Sequence, residues 1–191
     1  MNFETKPPLM KVLLAALKFY SILLVLALGI FFLQGHLDTS LFFQFQKTGF
    51  LINLLWGLGT GLLLISLSLH ASQNFQWASQ LNLEFRKVLV PLTTWQIGAI
   101  AIASGTAEEI FFRGAIQPLL GLLPTSLLFG LMHLIPRRTF LPWAIYAAFA
   151  GFLFGCLLEL RQNLFPSILS HVLVNFVMIL VLNHTRPRKL H

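Results

Sequence analysis

The chain has 191 residues, of which 57% are hydrophobic and 10% are charged, and its net charge is +7. A typical soluble domain is roughly 45–50% apolar and about 25% charged. The composition therefore excludes a soluble globular protein and predicts an integral membrane protein in contact with the lipid bilayer. The single cysteine, Cys156, excludes a disulfide scaffold and a thiolate zinc cluster. The basic residues are scattered between apolar runs, so the positive charge does not indicate a nucleic-acid partner.

Six apolar segments are candidate membrane-spanning helices, since a span needs roughly 20 apolar residues. In chain order they cover about residues 12–33, 50–69, 93–120, 124–135, 142–158 and 166–182. The first is too long for the apolar region of a signal peptide and has no small-residue cleavage site after it. The fourth is short for a span. Because no internal repeat or linker divides the chain, we predict one all-α domain over residues 1–191, a bundle of six transmembrane helices.

The distribution of Lys and Arg predicts how the bundle is oriented. An even number of spans places both termini on one side, and that side holds nine of the thirteen basic residues. These nine are Lys6, Lys11, Arg86, Lys87, Arg137, Arg138, Arg186, Arg188 and Lys189. The opposite side holds only Lys47 and Arg161. Because cytoplasmic loops are rich in Lys and Arg, we expect both termini in the cytoplasm and the protein in the inner, cytoplasmic membrane of a bacterium.

Two carboxylates and a guanidinium lie deep inside the third predicted helix. Ionisable residues at such a position are costly and mark functional sites. Glu109 and Arg113 are four residues apart, so they share one helix face and are placed to form an ion pair. Glu108 points about 100° away from Glu109 and is freer to face a cavity as a base. Taken alone, the three residues are also consistent with an ion pair that only fixes helix packing.

Two further pairs of residues have the spacing of one helical turn. Phe129 and His133 lie on the fourth predicted helix, and His171 and Asn175 lie on the sixth. A His and an Asn one turn apart can donate two hydrogen bonds to one oxygen, as an oxyanion requires. Taken alone, His133 is typical of a core histidine and Asn175 of an interhelical hydrogen bond. No well-placed serine or cysteine accompanies them, which favours hydrolysis by an activated water over a covalent intermediate.

The three motifs together resemble those of the CAAX-protease and bacteriocin-processing family. Glu-Glu-x-x-x-Arg at 108–113, Phe-x-x-x-His at 129–133 and His-x-x-x-Asn at 171–175 occur in the family's order, each in an apolar helix. The resemblance covers about residues 95–183, the expected catalytic core, and the first two helices match nothing specific. It implies an intramembrane endopeptidase whose partner is a membrane-anchored protein or peptide substrate.

The resemblance also implies a role for each motif. Glu108 and His133 would bind and activate the attacking water, and His171 and Asn175 would stabilise the tetrahedral oxyanion. The ion pair in the third helix would brace the site. In this glutamic-type interpretation no cofactor takes part.

Two alternatives to the glutamic-type endopeptidase stay open. The first is a zinc-dependent CAAX-type prenyl-protein endopeptidase, because Glu108, His133 and His171 are also a plausible zinc ligand set. The HExxH spacing of many zinc proteases is absent from the chain. The second is a non-proteolytic membrane protein that relays protons or binds hydrophobic peptides.

The depth of the motifs suggests a direction of substrate access. If the termini are cytoplasmic, Glu108 and His171 lie in the outer half of the bilayer, roughly 10 Å from its outer surface at about 1.5 Å per residue. His133 fits this depth less well. We therefore expect substrates from the outer face, such as the C-terminal anchor of an exported protein, which resembles the family's protein-sorting, myxosortase-like branch.

Overall fold

The computed structural model of the protein describes residues 9–35 and 49–184, and within them the chain is helical and contains no strand. Seven helices follow one another: α1 (Leu9–Leu33), α2 (Phe50–Asn74), α3 (Gln76–Leu89), α4 (Thr94–Leu120), α5 (Leu122–Met132), α6 (Leu141–Arg161) and α7 (Phe165–His184). The predicted all-α fold class is confirmed, and each of the six predicted apolar segments is a helix.

The helices differ in their ability to cross a membrane. By length and apolar composition, α1, α2, α6 and α7 are each sufficient for a span. α3 and α4 meet this standard only as a pair, which is bent by 108° at the break between them. α5 has 11 residues and is too short to cross alone. The described part of the chain thus has four candidate spans, or five with the bent pair, and the protein is a multi-pass integral membrane protein.

The amphipathic helix α3 is the element that apolar runs in the sequence do not predict. Of its 14 residues, Ala78 and Leu81 are buried, and Arg86 and Lys87 lie in its last turn. Its aromatic residue Phe85 packs edge-to-face on the rings of Phe140 and Trp143, with ring centres 5.8 and 5.0 Å apart. A helix with one narrow apolar face and a polar remainder is typical of a surface or interface helix. α3 therefore lies against one end of the bundle and does not pass through it.

α4 and α7 approach each other closely at Gly105. A Cβ atom built on Gly105 would lie 2.6 Å from a side-chain carbon of Val172 and 2.8 Å from its backbone nitrogen. Both distances are shorter than van der Waals contact, so the observed spacing requires a glycine here. Small residues allow this kind of close helix packing in membranes. The contact holds the last α-helical turn of α4 against the part of α7 that carries the third motif.

The order of contacts along the helices defines the two ends of the bundle. Asn183, near the end of α7, exchanges hydrogen bonds of 2.8 and 3.1 Å with the backbone of Leu92, just before α4. The α4 and α7 helices are therefore antiparallel. The end of the bundle with Leu92 also contains Lys11, Arg86, Lys87, Arg137 and Arg138. We call it the basic end.

The opposite end contains Arg161, which donates a 2.9 Å hydrogen bond to Asn53 near the start of α2. The described basic residues thus keep the separation on which the predicted orientation depends. The other residues of that prediction, Lys6, Lys47, Arg186, Arg188 and Lys189, lie outside the described residues.

Candidate active site

The acidic pair and the arginine of the first motif lie where α4 changes its helical form. α4 is α-helical up to Glu109 and π-helical over Ile110–Ile116, a segment that contains Arg113. Short π-helical segments occur frequently at functional sites. Glu109 and Arg113 are completely buried, and Glu108 is 7% exposed. Three ionisable groups are thus enclosed in an apolar bundle, where each needs a partner.

The guanidinium of Arg113 is held on three sides. Its Nη1 donates a 3.0 Å hydrogen bond to Glu109 Oε1, which forms the ion pair that the sequence predicts. Its Nη2 donates a 2.9 Å hydrogen bond to the carbonyl of Gly151 on α6. Its central carbon lies 4.3 Å from the centre of the Phe129 ring, within the range of a cation–π contact. This arrangement links α4, α5 and α6 through one side chain.

His171 is oriented by the same carboxylate oxygen. Its Nδ1 lies 2.9 Å from Glu109 Oε1, so that Glu109 accepts from both Arg113 and His171. Because an ionised carboxylate only accepts hydrogen bonds, His171 Nδ1 is the donor. The ring also stacks on Phe154, with ring centres 5.1 Å apart and planes inclined by 19°. The contacts fix the ring so that Nε2 points away from Glu109.

His133 is oriented by the backbone of its own helix. It follows the last residue of α5, and its Nδ1 lies 2.6 Å from the carbonyl oxygen of Phe129. A carbonyl accepts, so Nδ1 carries the proton and Nε2 of the neutral ring bears a lone pair. The ring of Trp143 lies edge-to-face against the imidazole, with ring centres 4.9 Å apart. α6 thus supports His133 from the side of the basic end.

The two Nε2 atoms face one oxygen of Glu108. Glu108 Oε2 lies 3.7 Å from His133 Nε2 and 3.9 Å from His171 Nε2, and this buried oxygen has no hydrogen-bond partner in the protein. Both distances are too long for direct hydrogen bonds and suit groups that share a small polar molecule. The structure therefore brings together the base, both histidines and the bracing ion pair that the sequence predicts.

Asn175 lies one turn beyond His171 and borders a cavity. Its Nδ2 donates a 2.8 Å hydrogen bond to the hydroxyl of Ser104 on α4. A cavity of about 150 Å³ extends from Asn175 between α2, α3, α6 and α7, and its lining includes Ala71, Leu81 and Trp143. Most of its walls lie towards the basic end, and the expected access from the outer face stays a prediction.

The segment that carries this geometry matches a known family. A family model described as type II CAAX prenyl endopeptidase Rce1-like matches residues 90–177. This segment of the chain is similar to that family. The matched segment contains all six predicted site residues and leaves out α1, α2 and α3. No curated protein and no solved structure matches the chain significantly.

The match confirms the resemblance found in the motifs. Residues 90–177 are accordingly similar to CAAX-type endopeptidases in general. The match does not distinguish the myxosortase-like branch, so that assignment stays a prediction.

The zinc alternative depends on whether the donor atoms of the site suit a metal ion. Among the residues described, no group of three or more His, Cys, Asp or Glu side chains has a geometry that could hold a metal. The predicted zinc ligands Glu108, His133 and His171 face one another, and their use as a ligand set stays a prediction.

One residue of the site is not among those predicted. Ser104 has no activating base, and its contact with Asn175 shows that it acts as a hydrogen-bond partner.

Proposed function

We propose that the protein is an intramembrane endopeptidase that hydrolyses a peptide bond of a membrane-anchored protein with a water activated by Glu108 and His133. The observation that carries the proposal is the convergence of Glu108 Oε2 with the Nε2 atoms of His133 and His171, at 3.7 and 3.9 Å. Glu108 Oε2 and His133 Nε2 both accept hydrogen bonds, so the space between them suits a molecule that donates two, and water is the smallest such molecule.

The proposed reaction begins with this water. Glu108 and His133 each accept a hydrogen bond from it, so its oxygen lone pair faces the scissile carbonyl carbon. As the new C–O bond forms, one water proton passes to Glu108, and the carbonyl electron pair becomes an oxyanion. When the C–N bond breaks, the leaving nitrogen takes the proton from Glu108. The products are a carboxylic acid and an amine, and Glu108 is again a carboxylate.

His171 and Asn175 stabilise the oxyanion in this proposal. The Asn175 amide has a second N–H beyond the one bound to Ser104. His171 donates through Nε2 when its ring is protonated.

The proposed substrate reaches the site from the basic end. The cavity beside α3 leads from that end to Asn175. Because cytoplasmic loops are rich in Lys and Arg, we place the basic end in the cytoplasm, in the inner membrane of a bacterium. Labelling of a Gln80→Cys, Cys156→Ala variant with an impermeant maleimide tests the orientation. Labelling only in inverted vesicles supports it, and labelling only in intact cells contradicts it.

The test of function uses the purified protein in liposomes with a farnesylated CAAX peptide, since the family is described as a prenyl endopeptidase. We expect cleavage by the wild type and none by Glu108→Gln, His133→Ala or Asn175→Ala. Glu84→Gln is the matched control, because Glu84 pairs with exposed Lys87 on α3. A farnesylated peptide left uncut by the wild type would refute the prenyl substrate.

The same variants distinguish cleavage from the other function classes. In cells, the new protein ends produced by the wild type and absent with Glu108→Gln would identify substrates of any kind. A proton relay instead predicts a mild effect of Asn175→Ala and no new protein ends.

A further inference from the structure

Most of the buried polar atoms that lack a partner belong to one helix. Six buried side-chain atoms of the described residues have no hydrogen-bond partner in the protein. They are Glu108 Oε2, Glu109 Oε2, Arg113 Nε, Gln117 Oε1, Thr125 Oγ1 and Asn163 Nδ2. The first four belong to α4, which begins at the basic end and runs to the opposite end. Because buried polar groups are normally hydrogen-bonded to protein or to ordered water, this arrangement indicates a place for water along α4.

α6 faces these atoms of α4 with two glycines that are one turn apart. Arg113 Nη2 donates to the carbonyl of Gly151 over 2.9 Å, and Gln117 Nε2 donates to that of Gly155 over 3.2 Å. A Cβ atom built on Gly155 would lie 2.7 Å from Gln117 Oε1. The Gln117 amide thus lies in space that only a glycine leaves open, bound through its N–H group while its oxygen has no partner.

Thr125 on α5 faces the same space between the helices. Leu122 packs against Gly155, and Phe129 packs against Gly151. Residues three and four apart lie on one helix face, so Thr125 shares the face of these two residues and lies between them. Its hydroxyl is buried and has no partner in the described part of the protein.

The unpartnered atoms of Arg113, Gln117 and Thr125 match the bonding capacity of water. Arg113 Nε donates, Gln117 Oε1 accepts, and the Thr125 hydroxyl can do either. Residues one helical turn apart have Cβ atoms about 5–6 Å from each other, a gap that one water molecule bridges. An internal water makes about three hydrogen bonds, and these residues supply that number. The polar line is the name used below for the five residues Glu108, Glu109, Arg113, Gln117 and Thr125.

The polar line has one end at the surface and the other at the proposed base. Gln117 Nε2 lies 3.3 Å from Glu159 Oε1, and Glu159 is exposed at the end of the bundle opposite the basic end. In the other direction the unpartnered oxygens of Glu109 and Glu108 continue the line. Polar atoms therefore extend from an exposed carboxylate to the base through an otherwise apolar bundle.

We propose that water molecules held along the polar line connect the surface at Glu159 with Glu108 and supply the water that each cleavage consumes. The inference rests on the proposed function. In that function the peptide enters through the cavity at the basic end, so the bound peptide obstructs water from that side. A route from the opposite end allows water to reach Glu108 while a peptide occupies the cavity.

Silver labelling of cysteine variants tests the route without requiring cleavage. Silver ions are close to water in size and bind thiolates, which form only where water reaches the thiol. Gln117→Cys and the control Ala115→Cys are made in a Cys156→Ala background. Ala115 is completely buried at the same depth of α4, but it packs on α1. Protection by silver is measured as loss of maleimide labelling after unfolding.

We expect silver to protect Gln117→Cys and not Ala115→Cys. Protection should occur from the membrane side opposite to the one on which Gln80→Cys reacts. An unprotected Gln117→Cys, equal protection of both variants, or protection from the side of Gln80→Cys would overturn the proposal.

Thr125→Val tests the hydration of the polar line through stability and rate. If the Thr125 hydroxyl faced a dry space, its replacement by a methyl group would raise the melting temperature, because an unpartnered polar group is removed. We expect a melting temperature that is equal or lower, and a kcat that is several-fold lower with KM unchanged. Ser126→Ala is the control with wild-type kcat, since the Ser126 hydroxyl donates to the Leu122 carbonyl of its own helix over 2.7 Å.

The results separate the route from the proposed function. A raised melting temperature or a wild-type kcat in Thr125→Val would overturn the route even if the wild type cleaves the farnesylated peptide. Silver protection of Gln117→Cys together with no rise in the melting temperature of Thr125→Val would support a hydrated polar line even if that peptide is not a substrate.

Discussion

Gly105→Ala is the change whose effect can be worked out most directly from the packing. The added methyl would lie 2.8 Å from the backbone nitrogen of Val172. Ordinary contact begins near 3.4 Å, so α7 must move by about 0.6 Å or more at this point. His171 is the neighbouring residue, and its 2.9 Å contact with Glu109 would lengthen to about 3.5 Å, beyond a good hydrogen bond.

We expect this displacement to reduce kcat more than it reduces stability. Overpacking costs about 1–3 kcal/mol, partly offset by the better helix propensity of alanine, roughly 1 kcal/mol. A misplacement of about 1 Å at a site costs on the order of 10²-fold in rate. A shift of about 0.6 Å should therefore lower kcat for the farnesylated peptide roughly 10- to 100-fold, while the protein still folds.

Gly98→Ala is the control for Gly105→Ala. Gly98 lies on the same helix and faces the same partner, but a Cβ there meets only Phe176, at 4.0 Å. We expect Gly98→Ala to have wild-type kcat and an equal or higher melting temperature. Equal kcat values in the two variants would refute the reasoning that the close α4–α7 contact sets the position of His171.

Three further predictions follow from the site. Arg113→Lys should lower the melting temperature, and it should lower kcat at least tenfold, because a single ammonium cannot reproduce the bonds to Glu109 and Gly151 together with the ring contact. Calorimetry measures the melting temperature and peptide cleavage measures kcat. A wild-type melting temperature in this variant would contradict the prediction. Incubation with chelators should leave cleavage unchanged, whereas a loss that zinc restores would establish the zinc-dependent alternative. Ala71→Leu, which places a larger side chain in the cavity beside α3, should raise KM several-fold with little change in kcat, and an unchanged KM would show that peptides do not use this cavity.

The apolar pattern was sufficient to predict the six apolar helices, but not α3. Helices such as α1 and α6 are long apolar runs of the kind that span a bilayer, so their approximate extents follow directly from the sequence. α3 is polar on most of its surface, with Arg86 and Lys87 in its last turn. Its helicity depends on packing Ala78 and Leu81 against other helices, and that packing is a tertiary property.

The motif spacing predicted which residues of the site meet, but not how α4 presents them. The ion pair of Glu109 with Arg113 follows from a spacing of four residues. The π-helical form of Ile110–Ile116 does not follow from that spacing, because it depends on how the surrounding helices pack against this segment.

The imidazole of His133 also caps the end of α5. In a regular helix the amide of residue 133 would bind the carbonyl of Phe129, but here that amide bonds to Gly130 and the imidazole takes the Phe129 carbonyl. A terminal carbonyl that an apolar environment would leave unsatisfied is thus capped by a side chain. The same hydrogen bond requires the proton of the neutral ring to be on Nδ1. The way in which α5 ends therefore fixes the tautomer of His133 before any peptide binds.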